Sequence, residues 1–147
     1  MRSLPRRMNA LHDFAMVAVR GLPGVIFLYH GYQKLDRGVD AFTPFVDSLG
    51  VPAPTIVAWL VSLLELVGGA ALIVGLFSRL VGLLFVVEMI FTTALVKSDI
   101  GLIARGGAGA ELDLALLAGA LAVAVIGPGA FSADRVLRIE GRGTGVR

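Results

Sequence analysis

Residues 53–77 read APTIVAWLVSLLELVGGAALIVGLF, an apolar run whose one ionisable side chain, Glu65, sits near its middle. A helix needs roughly 20 such residues to cross a hydrocarbon core of about 30 Å, so this stretch is long enough to span a bilayer. A lone charge at the midplane costs between about 3 and more than 10 kcal/mol, so Glu65 needs a partner inside the membrane. The neighbouring runs supply two counterparts, because residues 11–33 carry Arg20 and residues 78–96 carry Glu88. Counting about 1.5 Å per residue from the start of each run gives all three similar depths, with Arg20 about 14 Å in. The sequence therefore predicts that Arg20 bridges one or both glutamates, with Ser62 or Thr92 satisfying leftover lone pairs. One of the two carboxyls is expected to hold a proton, since like charges at close range cannot both ionise.

The rest of the chain fits the same class. With 147 residues, 56% hydrophobic and 16% charged, and a mean hydropathy of +0.85, it has too much apolar surface for one small soluble core. A fourth, shorter apolar run makes a span of residues 111–127, with Glu111 and Asp113 at its interfacial start. The fold expected is all-α, an integral membrane four-helix bundle with spans at about 11–33, 53–77, 78–96 and 111–127. Residues 1–10 read as a basic N-terminus and 131–147 as a basic tail. The first run is read as a span rather than a signal peptide, because it carries Arg20 and His30 and no small-residue cleavage pattern follows it. Four spans put Arg2, Arg6, Arg7, Arg79, Arg135, Arg138, Arg142 and Arg147 on one side, and Lys34, Arg37, Lys97 and Arg105 on the other. The excess of basic residues places both termini in the cytoplasm and the chain in the plasma (inner) membrane. The sequence pI of about 9.5 is then a matter of topology and lipid headgroups, with no nucleic-acid partner required.

The loops carry their own signals. Phe42, Phe45 and Val46 recur at near-helical spacing, which predicts a short amphipathic helix on the outer face. Pro52 and Pro54 predict the start of the second span, since a first helical turn tolerates proline. The short link at Phe77-Ser78-Arg79 makes spans two and three antiparallel neighbours. Residues 101–109 read as a flexible outer loop, and Gly127-Pro128-Gly129 ends the last span.

Two groups of residues are chemical candidates. The buried polar centre, Arg20, Glu65 and Glu88, reads either as an ion-pair latch that fixes helix packing or as a proton-handling or polar-ligand site. The second group lies nearer the outer surface: His30, Lys34 and Glu111, with Tyr32, Gln33 and Asp113 close by. Such a cluster at a membrane boundary suits a quinone carbonyl, a small anion or a partner's loop. Other chemistries are excluded. There is no cysteine, hence no disulfide exchange, iron–sulfur ligation or cysteine zinc site in this chain. The two histidines, His12 and His30, lie on one helix about 27 Å apart, too far to hold one haem iron from both sides. No metal-spaced cluster, phosphate loop or Ser-His-Asp set is present.

These residues also resemble a known family. Arg20-Gly21 followed by Ile26-Phe27-Leu28-Tyr29-His30-Gly31-Tyr32-Gln33-Lys34-Leu35 resembles the first-helix signature of the DoxX family. Ser48-Leu49-Gly50-Val51-Pro52, Leu64-Glu65-Leu66-Val67-Gly68-Gly69 and Gly75-Leu76-Phe77-Ser78-Arg79 are similar to its second-helix signature. The last span, from Glu111 to Gly127-Pro128-Gly129, is similar to the family's final helix, and Arg20, His30, Lys34, Glu65 and Glu111 match the pattern. The resemblance implies a small four-helix inner-membrane protein linked to redox systems, among them a thiosulfate:quinone oxidoreductase and a mycobacterial membrane oxidoreductase complex. It points to a membrane subunit of a redox-linked complex, with lipid and protein partners and a quinone as ligand, no cofactor being covalently held. The chain has no electron-transfer centre of its own, so an enzymatic role would be that of an accessory subunit of a quinone-linked oxidoreductase. The competing readings are a non-enzymatic scaffold or assembly factor and a small-solute or proton carrier.

Overall fold

A computed structural model describes residues 6–98 and 100–139. Among these residues every regular element is helical. The order is α1 (Arg6–Asp36), α2 (Val39–Ser48), α3 (Pro54–Val74), α4 (Ser78–Leu95), α5 (Ala110–Ile126) and the short α6 (Ala133–Val136). Three helices, Leu11–Asp36 within α1, α3 and α4, are long and apolar enough to cross a membrane. Only 22%, 33% and 28% of their most apolar windows are buried inside the protein. The remaining apolar surface, including Leu22, Ile56 and Phe91, faces outward, which is how a chain solvated by acyl chains is built.

Glycines set the register of α1 against α3. A Cβ on Gly31 would strike the backbone of Glu65 and Leu66, and one on Gly69 the backbone around Leu28 and Gly24. These two helices can approach so closely only because no side chain stands between them. On the other side, Gly82 of α4 lies against Ala120 and Ala124 of α5, and the Pro23 ring of α1 covers Gly119 of α5. Phe27, Leu72, Phe85, Leu116, Ala120 and Val123 fill the space between the pairs. Phe27 and Phe85 stack with ring centroids 3.6 Å apart.

The expected contact between spans two and three is real but local. α4 meets α3 chiefly through the latter's last turns, residues 69–74, and most of its packing is on α5. From their shared turn the two helices diverge toward the end that carries α2, and the wedge between them stays open. The helix that begins at Pro54 uses its proline in the first turn, as the sequence predicts. Midway, the backbone widens into one π-helical turn, Leu64–Gly68, which carries Glu65. The amphipathic helix expected near Phe42 is α2, whose Val39 and Val46 pack on Ala58 of α3.

The opposite end, at the turn between α3 and α4, is more ordered than a basic tail. Gly75, at φ 75°, ends α3 with its own N–H on Leu72 O at 3.2 Å and the Leu76 N–H on Ala71 O at 2.8 Å. This closure needs a left-handed residue, which glycine supplies without strain. The fully buried Asp134 then accepts the N–H groups of Phe77 at 2.7 Å and Ser78 at 2.8 Å, capping α4. Its own N–H donates back to Gly75 O at 2.9 Å. Residues 131–139, read from sequence as the start of the basic tail, thus fold back onto the helices. Arg2, Arg142 and Arg147, which weighed in the orientation argument, lie outside the described residues.

Candidate functional site

The wedge between α3 and α4 is a cavity of about 560 Å³. Leu60, Val61 and Leu64 of α3 form one wall and Leu84, Val87 and Phe91 of α4 the other, while Phe42 and Phe45 of α2 close the end away from the α3–α4 turn. The floor is Phe27, stacked on Phe85. Leu60 and Phe91 border the cavity yet are 63% and 61% exposed, so it opens sideways toward the acyl chains. Into this apolar volume project His30, Lys34, Glu65, Glu88, Asp113 and Lys97. A second cavity of about 280 Å³, lined by His30, Gln33, Lys34 and Arg37, shares its His30, Lys34 and Phe42 borders with the first.

The polar groups are held by short, specific contacts. Lys34 Nζ donates to Glu65 Oε2 in a largely buried ion pair and sits 5.1 Å from the centroid of the Phe42 ring. Glu88 lies within electrostatic reach of Glu65 and of Lys34. Asp113, on the buried face of α5 shared with Leu116, Ala120 and Val123, is within electrostatic reach of Glu88, His30 and Lys97. Lys97 Nζ is engaged with Ala108 O at 2.6 Å. Glu88 Oε2 and Asp113 Oδ2 are buried, and no N–H or hydroxyl of the described residues reaches them. No three His, Asp or Glu side chains among the described residues converge as metal ligands.

This geometry revises the sequence-based grouping in three ways. Arg20 does not join Glu65 and Glu88. It is buried beside the α3–α4 turn, donating from Nη2 to Phe131 O, with Gly75 and Ser132 against its guanidinium and Asp134 as a counter-charge. The reason is register: with Gly31 set on Leu66 and Gly24 on Ile73, Lys34 is the α1 cation level with Glu65, and Arg20 falls level with the end of α3. Glu111 is exposed and caps its own helix, accepting the Gly109 N–H at 3.2 Å. The carboxylate of α5 that turns inward is Asp113, and its helical phase with Leu116 and Ala120 is the signal that distinguishes it from Glu111. Lastly, Ser62 and Thr92 bond the backbone of their own helices, to Ala58 O at 2.7 Å and Glu88 O at 2.9 Å, and satisfy no carboxylate. Glu65, Glu88, His30 and Lys34 do border one cavity.

Taken together, these features define a multi-pass helical membrane protein with an ionisable cluster inside a lipid-accessible cavity. The DoxX family model matches residues 15–98, and the chain belongs to the DoxX family. Its relatives include "Putative oxidoreductase CatD" of Bacillus subtilis strain 168, 31% identical over 120 residues, which are 82% of this chain and 84% of that protein. "Inner membrane protein YqjF" of Escherichia coli K12 is 30% identical over 132 residues, 88% of this chain and 97% of its own length. "Uncharacterized membrane protein Rv3486" of Mycobacterium tuberculosis H37Rv is 28% identical over a gapped alignment of 156 positions that covers 99% of this chain and 94% of its own. No solved structure matches the chain.

Proposed function

We propose that this protein is a small inner-membrane subunit of a redox-linked complex that holds a quinone-type ligand between α3 and α4. The observation that carries the reading is the cavity of about 560 Å³: apolar walls, an opening toward lipid, and ionisable groups within it. Small-molecule sites commonly measure about 300–1,000 Å³ and join apolar walls to a few placed polar groups. A quinone ring matches that chemistry, since it enters from the bilayer and needs hydrogen-bonding partners only at its two oxygens. His30, which borders both cavities, is positioned to donate to a carbonyl; Lys34 orders the neighbouring carboxylates. The names of the Bacillus and Escherichia relatives support the redox link and the inner-membrane location.

The fourth span in this reading is α5. Its 17 residues rise about 25 Å, slightly short of the hydrocarbon core, a mismatch that local thinning of the bilayer absorbs. Both termini are then cytoplasmic, and the cavity lies in the outer half of the membrane. With no redox centre in the chain, electrons exchanged with the ligand come from a partner protein. Purification into nanodiscs with native lipid tests the proposal: bound quinone near one per chain is expected after subtracting the amount in empty discs. We expect His30→Ala to weaken quinone binding about tenfold, the scale of one lost hydrogen bond, with unchanged unfolding because His30 is exposed. Recovery of partner proteins without excess quinone would instead establish a scaffold.

A further inference from the structure

The polar side of the cavity is unbalanced in a way that bears on which form of the ligand it holds. Its cations are already engaged, Lys34 with Glu65 and Phe42, and Lys97 with Ala108 O. Its acceptors are in surplus. Glu88 is 9% exposed and Asp113 6% exposed, both border the cavity, and Oε2 of the first and Oδ2 of the second meet no N–H or hydroxyl of the described residues. Buried carboxylate oxygens left without donors are costly, and a ligand that brings donors relieves that cost. A quinone brings only acceptors, whereas a quinol brings two hydroxyl groups, each able to donate to a carboxylate and still accept from His30.

We infer that the cavity is built for the reduced ligand, a quinol whose hydroxyl groups donate to Glu88 and Asp113. This rests on the quinone-type reading above and adds the oxidation state and the two residues that select it. One net hydrogen bond gained by a donor at an otherwise unpaired buried oxygen corresponds to about tenfold in affinity, so the quinol should bind about tenfold more tightly than the quinone. For a two-electron couple, a tenfold preference raises the midpoint potential of the bound ligand by about 30 mV.

The test is equilibrium partitioning of decyl-ubiquinone and decyl-ubiquinol, the latter kept anaerobic, onto the full chain in phosphatidylethanolamine–phosphatidylglycerol nanodiscs, corrected with empty discs. Tighter quinol binding in the wild type is the expected result and needs no variant to fold. Glu88→Gln and Asp113→Asn should each bring the two affinities closer, because an amide offers a quinone carbonyl the donor that a carboxylate lacks. Glu111→Gln, outside the cavity, should leave the ratio as it was. Equal affinities, or tighter quinone, would overturn the inference while leaving the quinone-type reading in place. Binding of neither form above empty discs would overturn both.

Discussion

At the level of single side chains, the charges within apolar runs were the easiest features to find and their partners the hardest. Glu65, Glu88 and Arg20 stand out because any ionisable group there is expensive to desolvate. Which cation meets Glu65 depends on helix register, and α1, at 31 residues, is about 46 Å long, so depth counted from an assumed first residue has no anchor. Glycine contacts supply the anchor, and they select Lys34. Removing one partner of a buried pair typically costs about 3–5 kcal/mol, whereas removing both and refilling the space costs little. We therefore expect Lys34→Met to lower the unfolding free energy by about 3 kcal/mol in a detergent titration, and Lys34→Met with Glu65→Leu to recover most of it. A double variant no more stable than the single one would show that the ion pair does not hold α1 to α3.

Among the elements, the helices were legible and their pairing only partly so. Apolar length gave α1, α3 and α4, spacing gave α2, and Pro54 gave the start of α3. The close approach of α1 to α3 rests on Gly24, Gly31 and Gly69, whereas the divergence of α3 from α4 carried no local signal, because it follows from how each pairs elsewhere. Gly31→Ala tests the pairing directly: its methyl group would meet backbone that has no rotamer to change, so we expect a loss of about 3 kcal/mol by the same titration. The role of residues 131–139 was hidden for a different reason. Asp134 caps α4 across 56 positions of sequence, and short-range patterning does not reveal such a contact. Replacing it with Ala removes an anion from a helix N-terminus and leaves two N–H groups bare, at an expected cost of about 1–2 kcal/mol. Asp134→Asn, which keeps one acceptor, should fall between.

For the whole molecule, the chain's own composition provides a test of orientation. It has no cysteine, so single cysteines introduced at Ile103 and Arg138 are the only thiols present. An impermeant maleimide applied to intact cells should label the first and spare the second; the reverse pattern would invert the topology derived from basic residues. The mechanical character of the protein follows from its two dissimilar ends. One end is clamped by the Gly75 turn and the Asp134 cap, and the other is parted by a void of about 560 Å³. Hydrogen exchange should therefore be faster around Pro54 than around Val74 of the same helix, and uniform rates would contradict this gradient. Two arms joined at one clamped end have the form of tongs, and the lateral pressure of the lipid around the open end bears on their jaws. On the quinone-type reading, membrane thickness and lipid shape become inputs that set how readily the jaws admit a guest.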